Sequence, residues 1–253
     1  MTLGSDCRSA ARQALSFLEP LSGTLGSQLS RARLVVAIGS VASIIGRAGD
    51  APLSNIVDGT VVAALANSGQ VLGHPLAIRV ARVLAANGFG EAAAHLVSAE
   101  DPTAGRSALK VLRTPTLELL SVSGRRSALL DTLEAMALAG RAGDLKADRL
   151  RGISLKAILA TWAVHDLRRY DLIGAARALS VSALMGAGET PIVRECVMIL
   201  LSQQRPDGAF GFIAEQVKSP AAVDQTYLTE AALLPITTSC LTAIADCVAP
   251  GRR

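Results

Sequence analysis

Apolar residues recur along most of the chain at the three- and four-residue spacing of an amphipathic helix. Runs in which β-branched and polar residues alternate, as they do in a half-buried strand, are almost absent. The pattern therefore predicts an all-α protein. The predicted helices cover about residues 6–18, 30–47, 53–68, 75–87, 90–98, 104–112, 115–121, 125–141, 149–169, 171–185, 190–204 and 226–248.

Proline and glycine mark the ends of these helices. Proline stands at the start of three of them, in "GHP", "RTP" and "ETP", where its missing N–H costs no hydrogen bond. Glycine-rich stops such as "SGR" and "MGAG" permit the left-handed residue that often ends a helix. Short loops favour antiparallel neighbours, and no low-complexity linker divides the chain. We therefore expect one domain, residues 1–253, built of antiparallel helix hairpins.

The composition is that of a folded protein with an aliphatic core. Hydrophobic residues make up 50% of the chain and charged residues 18%, and the mean hydropathy is +0.40. The longest apolar run, Leu34–Gly46, is shorter than the roughly 20 residues that span a membrane. The N-terminus lacks the basic-then-apolar pattern of a signal peptide. We expect a cytoplasmic protein without a membrane span.

The charge and the aromatic content argue against nucleic acid as a partner. The net charge is +4, and the basic residues are spread along the chain. Nucleic-acid-binding proteins concentrate positive charge beside stacking aromatic side chains, whereas only 3% of this chain is aromatic.

Neither the cysteines nor the histidines predict a metal centre. No two of the four cysteines have CxxC spacing, and the three histidines are far apart in the sequence. Unpaired cysteines in a cytosolic chain mostly serve core packing. A phosphate-binding glycine loop is also missing, since "AIGSVAS" lacks both the G-x-G-x-x-G spacing and a preceding strand. We expect no metal and no cofactor.

The segment Leu200–Ile213, "LLSQQRPDGAFGFI", combines a helix end with a tight turn. Asp-Gly is strong turn chemistry, and a phenylalanine beside it offers an apolar anchor. A helix, then Q-x-x-x-D-G-x-F-G, then another helix resembles the "QW"-type repeat of α/α-toroid proteins, which include the terpenoid cyclases and protein prenyltransferases. The matching residues are Gln203 or Gln204, Asp207, Gly208, Phe210 and Gly211.

This resemblance implies an α/α toroid, either closed or shortened and partly open. It implies that the glutamine caps helix ends, that the aromatic ring packs on the turn and that the glycines permit the backbone. The segment would then clip an outer helix to the next inner one.

The C-terminal half also resembles uncharacterised actinobacterial toroid-like proteins, many of which are encoded beside natural-product pathways. The similar segments are Tyr170–Leu179, Leu200–Gly211 and Leu233–Ile244. The acidic DxDD and DDxxD motifs of terpene cyclases do not occur, and the zinc ligands of prenyltransferases and lanthionine cyclases have no counterpart. The resemblance therefore implies bacterial specialised metabolism, but not the chemistry of the larger families.

One group of candidate site residues lies in "TWAVHDLRRYD", Thr161–Asp171. Helical spacing places His165 one turn after the only tryptophan, at the border of the apolar stripe. Because the pKa of histidine lies near neutrality, His165 is a candidate catalytic acid or base, and the arginines could hold a carboxylate or phosphate. The candidate substrate-binding residues here are Trp162, Asp166, Arg169 and Asp171. The alternative is a helix C-terminus with favourable cations, followed by an aspartate N-cap.

A second group lies on the last predicted helix, which Pro235 would kink or divide unless the helix runs through it. In a toroid the helix after the Asp-Gly turn is an inner one, so its apolar face would line the central cavity. We expect Glu230 and Tyr227 to be catalytic and Thr237 and Thr238 to bind substrate. The alternative is ordinary polar residues of a helical bundle, with the threonines bonded to the backbone one turn back.

Two classes of function stay open. The first is a cofactor- and metal-independent enzyme of bacterial natural-product biosynthesis. It would hold an apolar or peptide-like intermediate in a central cavity and promote cyclisation or elimination by acid–base catalysis. The second is a non-catalytic scaffold that grips a peptide or a partner protein of such a pathway. A closed pocket lined by Glu230, Tyr227 and His165 would favour the enzyme, and a filled centre with an exposed apolar groove would favour the scaffold.

Overall fold

The structure, a computed structural model of the protein, describes residues 3–46, 74–98, 123–138, 155–211 and 225–248. Within these residues the chain is helical, as predicted, and contains no strand beyond one isolated backbone bridge. The predicted helices 53–68, 104–112 and 115–121 lie outside the described residues. The helices are α1 Leu3–Leu18, α2 Gln28–Ile45, α3 His74–Ala86, α4 Gly90–Ser98, α5 Ser123–Leu138, α6 Leu155–Arg168, α7 Leu172–Ser182, α8 Pro191–Ser202 and α9 Leu234–Val248.

Capping residues decide where α2 begins and ends. The helix starts two residues earlier than predicted because Ser27 is its N-cap, and the Ser27 hydroxyl accepts a hydrogen bond from the Ser30 amide at 3.0 Å. It ends at Gly46, whose φ of 82° is the left-handed conformation that glycine adopts readily.

The turn between α6 and α7 places a non-glycine residue in the left-handed conformation. Tyr170 has a φ of 60°, which is unfavourable for a residue with a Cβ atom. Two backbone bonds hold the turn: the Tyr170 amide donates to the Leu167 carbonyl at 3.1 Å, and the Asp171 amide donates to the Asp166 carbonyl at 2.9 Å. This is the six-residue closure of a Schellman motif, which lets α7 follow α6 after three residues.

Five helices contact one another in cyclic order within the described part of the chain. α2 packs against α3, α3 against α5, α5 against α7, α7 against α9, and α9 against α2. We call these five the ring helices. The others flank them: α1 contacts α2, α4 contacts α3, α6 contacts α7, and α8 contacts both α7 and α9.

Polar contacts show that α2 and α9 run in the same direction. The Thr238 hydroxyl donates to the Arg33 carbonyl, and the Thr242 and Ser40 hydroxyls share a hydrogen bond, both at 3.3 Å. Residue numbers rise together along the two helices, so their orientation is parallel.

The same relation holds for α3 and α5. Arg79 bonds to Glu134 at 2.6 Å, and one turn further along Arg82 donates to the carbonyl of Leu138. Parallel neighbours cannot be joined by a tight turn, so the chain must return between them. α4, which packs on α3, lies in this connection.

The last helix runs through Pro235. A short helix, Gln225–Leu228, continues through a π-helical turn, Thr229–Leu233, directly into α9. Proline has no N–H to donate, and its ring crowds the carbonyl of the preceding turn. The wider π turn before Pro235 accommodates both effects, so the helix stays continuous.

The segment Gln203–Gly211, which we call the clip, is a compact turn after α8. The Gln204 side chain donates to the Gly208 carbonyl at 3.1 Å, and the Asp207 carboxylate accepts a hydrogen bond from the Ala209 amide at 3.1 Å. Gly208 has a φ of 90°, which glycine adopts at low cost. Of the two glutamines, Gln204 is therefore the one whose side chain bonds within the turn.

The clip bonds to two helices that are distant in sequence. The Gln204 side chain also donates to the Ala10 carbonyl of α1 at 2.9 Å. On the other side, the Phe210 amide donates to the Thr237 hydroxyl of α9 at 3.0 Å, and the Phe210 ring is fully buried. The clip thus joins a flanking helix to a ring helix.

Two described segments are long and apolar enough to cross a membrane, Gln28–Ile45 and Thr229–Val248. They are neighbours in the ring, and 56% and 67% of the most apolar 18-residue window of each is buried inside the protein. Core helices of soluble proteins have the same length and composition. A cytoplasmic protein without a membrane span therefore stays a prediction.

Candidate functional site

Charged side chains lie buried between four ring helices. Arg79 of α3 donates to Glu134 of α5 at 2.6 Å and to Asp246 of α9 at 2.9 Å. The Ser180 hydroxyl of α7 accepts a bond from Arg79 at 2.7 Å and donates to Asp246 at 2.5 Å. Arg177, also on α7, stands 4.0 Å from the Glu134 carboxylate and donates hydrogen bonds to Asp131 and Ser127 of α5. We call Arg79, Glu134, Arg177, Ser180 and Asp246 the buried charged cluster.

The buried charged cluster is stable only as a set. Removing an ion from water costs several kcal/mol unless an opposite charge bonds to it. Burial by itself would lower the pKa of Arg79, but the carboxylates of Asp246 and Glu134 outweigh it and raise that pKa above its ordinary value. Asp246 lies in the last turn of α9, where the helix dipole disfavours negative charge, so it depends on Arg79 in turn.

No member of this cluster is among the residues predicted from the sequence. A signal was present, because Asp246 is the only charged residue between Glu230 and Arg252. A carboxylate in so apolar a helix needs a partner. The sequence could not name that partner, since Arg79 is 167 positions away.

A second polar group joins α6 to α5 and contains three predicted residues. Asp166 is buried, and both of its carboxylate oxygens accept hydrogen bonds from the Arg126 guanidinium. The Nδ1 atom of His165 lies 3.1 Å from Asp166 Oδ1, while 54% of the His165 side chain is exposed. The Arg126 guanidinium also lies 4.8 Å from the centre of the Trp162 ring, a cation–π contact. Arg126 was not predicted from the sequence.

The other two predicted residues of this segment have local roles. The Asp171 carboxylate accepts a hydrogen bond from the Gly174 amide at 2.9 Å, so the alternative interpretation as the N-cap of α7 is confirmed. Arg169 has an exposed side chain, and its amide donates to the Asp166 carbonyl at 3.0 Å. A Cβ on Gly174 would lie 2.6 Å from an oxygen of both Asp166 and Asp171. A larger residue at position 174 would therefore displace at least one of these carboxylates from α7.

Glu230 and Tyr227 have different surroundings. The Glu230 carboxylate accepts hydrogen bonds from the Gly26 amide at 3.0 Å and the Ser30 hydroxyl at 2.9 Å. These groups lie at the start of α2, where the free amides and the helix dipole favour a negative charge. Glu230 therefore stabilises the N-terminus of α2, while Tyr227 is 68% exposed.

The predicted threonines are both buried and both bond to other elements. Thr237 accepts its hydrogen bond from the clip, and Thr238 donates to the Arg33 carbonyl of α2. The alternative interpretation, in which they bond to the backbone one turn back, is wrong for these two residues. Ser239 does make such a bond, to the Pro235 carbonyl at 2.9 Å.

The predicted site residues thus fall into two groups with different partners. His165 bonds within the α5–α6 group, whereas Glu230 bonds at the start of α2. In the part of the chain that the structure describes, no three His, Cys, Asp or Glu side chains are placed to hold a metal ion. The four cysteines are free and buried.

Comparison with known protein families, with curated proteins and with solved structures finds no match for this chain. The resemblance to α/α-toroid proteins stays a prediction that rests on the clip and its neighbouring segments.

Proposed function

We propose that the protein is a cofactor-independent enzyme of bacterial natural-product biosynthesis that uses His165 as a general acid and base. The observation that carries the proposal is the His165–Asp166 pair, in which a mostly exposed imidazole contacts a buried carboxylate. The substrate is an apolar or peptide-like intermediate. The reaction is a cyclisation or an elimination, because both require a proton to be removed at one atom and returned at another.

The pair is suited to proton transfer because Asp166 orients the imidazole. A carboxylate beside Nδ1 favours the tautomer that carries its hydrogen there, which leaves the Nε2 lone pair to accept a proton from the substrate. Arg126 holds the carboxylate in place by bonding to both oxygens. The imidazolium formed is stabilised by Asp166 and can then protonate a second atom of the intermediate.

The helix arrangement supports the further proposal of an α/α toroid. In a toroid, outer helices return the chain between inner helices, so inner neighbours run in the same direction. The cyclic contacts of the ring helices and the parallel pairs α2/α9 and α3/α5 agree with that plan. Because a fold does not imply a function, the natural-product pathway is supported only by the sequence resemblance.

A complementation experiment tests the proposed catalytic role of His165. A host strain that lacks the gene is complemented with the wild-type protein, His165→Gln or the control Arg12→Gln, which changes an exposed residue of α1. We expect His165→Gln to remove the pathway product and accumulate its precursor in mass spectra, while the control restores the product. Circular dichroism checks that both variants keep their helices. A His165→Gln strain that still makes the product would refute the proposed role.

The second candidate function is a non-catalytic scaffold for a peptide or a partner enzyme of the pathway. It is favoured by one observation, the exposed apolar side chains Ile192, Met198 and Ile199 on α8. Ile199→Lys separates the two candidates when binding of the enzyme encoded beside this protein is measured by calorimetry. A scaffold loses affinity in Ile199→Lys and keeps it in His165→Gln.

A further inference from the structure

The turn between α6 and α7 has two features that are unusual together. Tyr170 has a φ of 60°, the left-handed conformation that is unfavourable for a residue with a Cβ atom and that glycine usually adopts in a Schellman motif. The Tyr170 side chain is also 70% exposed, so most of the ring lies outside the core. A large aromatic side chain thus occupies a position at which glycine would be less strained.

Bonds on both sides of Tyr170 hold the turn in this conformation. Before it, the Asp166 carbonyl accepts a hydrogen bond from the Asp171 amide at 2.9 Å. After it, the Asp171 carboxylate accepts a bond from the Gly174 amide at 2.9 Å and so begins α7. Residues in sparsely populated conformations persist where the surrounding structure holds them, and they concentrate at functional sites. Strain combined with exposure therefore points to a role in binding.

This turn adjoins the candidate site around His165. The same Asp166 that closes the turn through its carbonyl contacts the His165 imidazole through its carboxylate, at 3.1 Å. Ile173, in the first turn of α7, is a second exposed apolar residue, with an exposed fraction of 37%. Tyr170, Ile173 and the imidazole are thus all accessible within one helix–turn–helix segment.

A tyrosine ring is suited to hold a flat apolar group. The side chain offers a large rigid surface and has only two torsions to fix, so binding to it costs little conformational entropy. A second aromatic ring gains attraction beyond the burial of its area, because the edge of one ring and the face of the other carry opposite partial charges. The group that matches an exposed tyrosine best is therefore another aromatic ring.

We propose that Tyr170 is a substrate-binding residue of the His165 site and that its ring holds an aromatic group of a peptide-like substrate. The inference rests on the proposed function, since the role of His165 is what makes this end of α6 a site. It narrows the substrate class from apolar or peptide-like molecules to peptide-like molecules with an aromatic side chain. The strained backbone fixes the start of the tyrosine side chain before the substrate binds.

The first test is an NMR titration of the full-length protein with two neutral probes, N-acetylphenylalaninamide and N-acetylleucinamide. Both probes have the same backbone and a large apolar side chain, but only the first has a ring. We expect the ring probe to bind about fivefold more tightly and to shift the backbone signals of Tyr170 and the imidazole signals of His165. Equal binding of the probes, no shift at Tyr170, or unchanged His165 signals would each overturn the proposal.

Two variants of Tyr170 separate binding from folding. Tyr170→Phe keeps the ring, so it should keep the preference for the aromatic probe. Tyr170→Gly removes the ring and relieves the left-handed strain, so the preference should disappear while the thermal unfolding midpoint equals or exceeds that of wild type. A preference that persists in Tyr170→Gly contradicts the proposal. A midpoint that falls in Tyr170→Gly but not in Tyr170→Phe also contradicts it, because the ring would then serve the fold.

The complementation strain distinguishes a failure of this inference from a failure of the proposed function. We expect Tyr170→Gly to lower the amount of pathway product by about fivefold, as the loss of the ring contact predicts, and Tyr170→Phe to restore it. Product that is lost in His165→Gln but unchanged in Tyr170→Gly would refute the role of Tyr170 alone. Product that persists in His165→Gln would refute the proposed function, and with it the substrate role of Tyr170.

Discussion

The clip and the buried charged cluster both use polar groups to hold helices together, yet only the clip could be predicted from the sequence. The bonds that shape the clip join near neighbours, as between Gln204 and Gly208. The bonds of Arg79 join residues 55, 101 and 167 positions apart. A motif is visible in sequence when adjacent residues set its conformation, and it is hidden when the fold itself brings the partners together.

Breaking the cluster should have the largest effect on stability. Arg79→Met leaves Glu134 and Asp246 without their buried cation, and we expect a loss of about 3–5 kcal/mol in the free energy of unfolding. Urea unfolding followed by circular dichroism measures it. The triple variant Arg79→Met, Glu134→Gln, Asp246→Asn removes all three charges and should recover part of the loss. A single variant within about 1 kcal/mol of wild type would show that the charges are not effectively buried.

Gly208→Ala should be the most damaging small change in the clip. A φ of 90° disfavours alanine, and a Cβ there would lie 2.1 Å from the Gln13 carbonyl oxygen of α1. We expect a loss of about 3 kcal/mol, because both the turn and its contact with α1 must shift. The control is Gly23→Ala, since a Cβ on Gly23 meets nothing within 4 Å. Equal unfolding midpoints in urea for the two variants would show that the stability of the fold does not depend on the clip.

Thr237→Val tests the bond between the clip and α9. The change keeps the volume of the side chain but leaves the buried Phe210 amide without an acceptor, which should cost about 2 kcal/mol. Thr238→Val is the matched control. It loses a longer bond of 3.3 Å to the Arg33 carbonyl, which stays within a helix, and should cost about 1 kcal/mol. The reverse order in thermal or urea unfolding would mean that α2, not the clip, depends more on these threonines.

The prediction with the smallest effect at neutral pH concerns the Cys7 thiol of α1, the helix to which the clip bonds. Burial, and to a lesser degree the charge of Asp6, raises the pKa of the Cys7 thiol from its ordinary value of 9.0 to about 11. The folded state therefore keeps a proton that the unfolded chain releases, so this contribution is complete below pH 9 and is lost as the pH rises towards 11. We expect Cys7→Ala to reduce the alkaline decline of unfolding free energy by at most about 1.4 kcal/mol per pH unit. An unchanged slope would show that Cys7 reaches solvent.

The candidate site was only partly predictable. His165, Asp166 and Trp162 lie together because they share a helix, and helical spacing is enough to place them on one side of it. Arg126, which bonds to Asp166 from another helix, could not be predicted from the segment Thr161–Asp171. Glu230 was expected to face a cavity but caps α2, because nothing in its own helix indicates which N-terminus lies beside it.

The sequence by itself determined the helices of the described residues, most of their ends and the turn of the clip. These depend on apolar periodicity, on capping side chains and on glycine, and all of them act over a few residues. Only the tertiary structure decided that α2, α3, α5, α7 and α9 contact in cyclic order and that Arg79 meets Asp246. Helices with similar aliphatic faces can pack in many ways, so these pairings follow from the fit of whole helices, which no local pattern specifies.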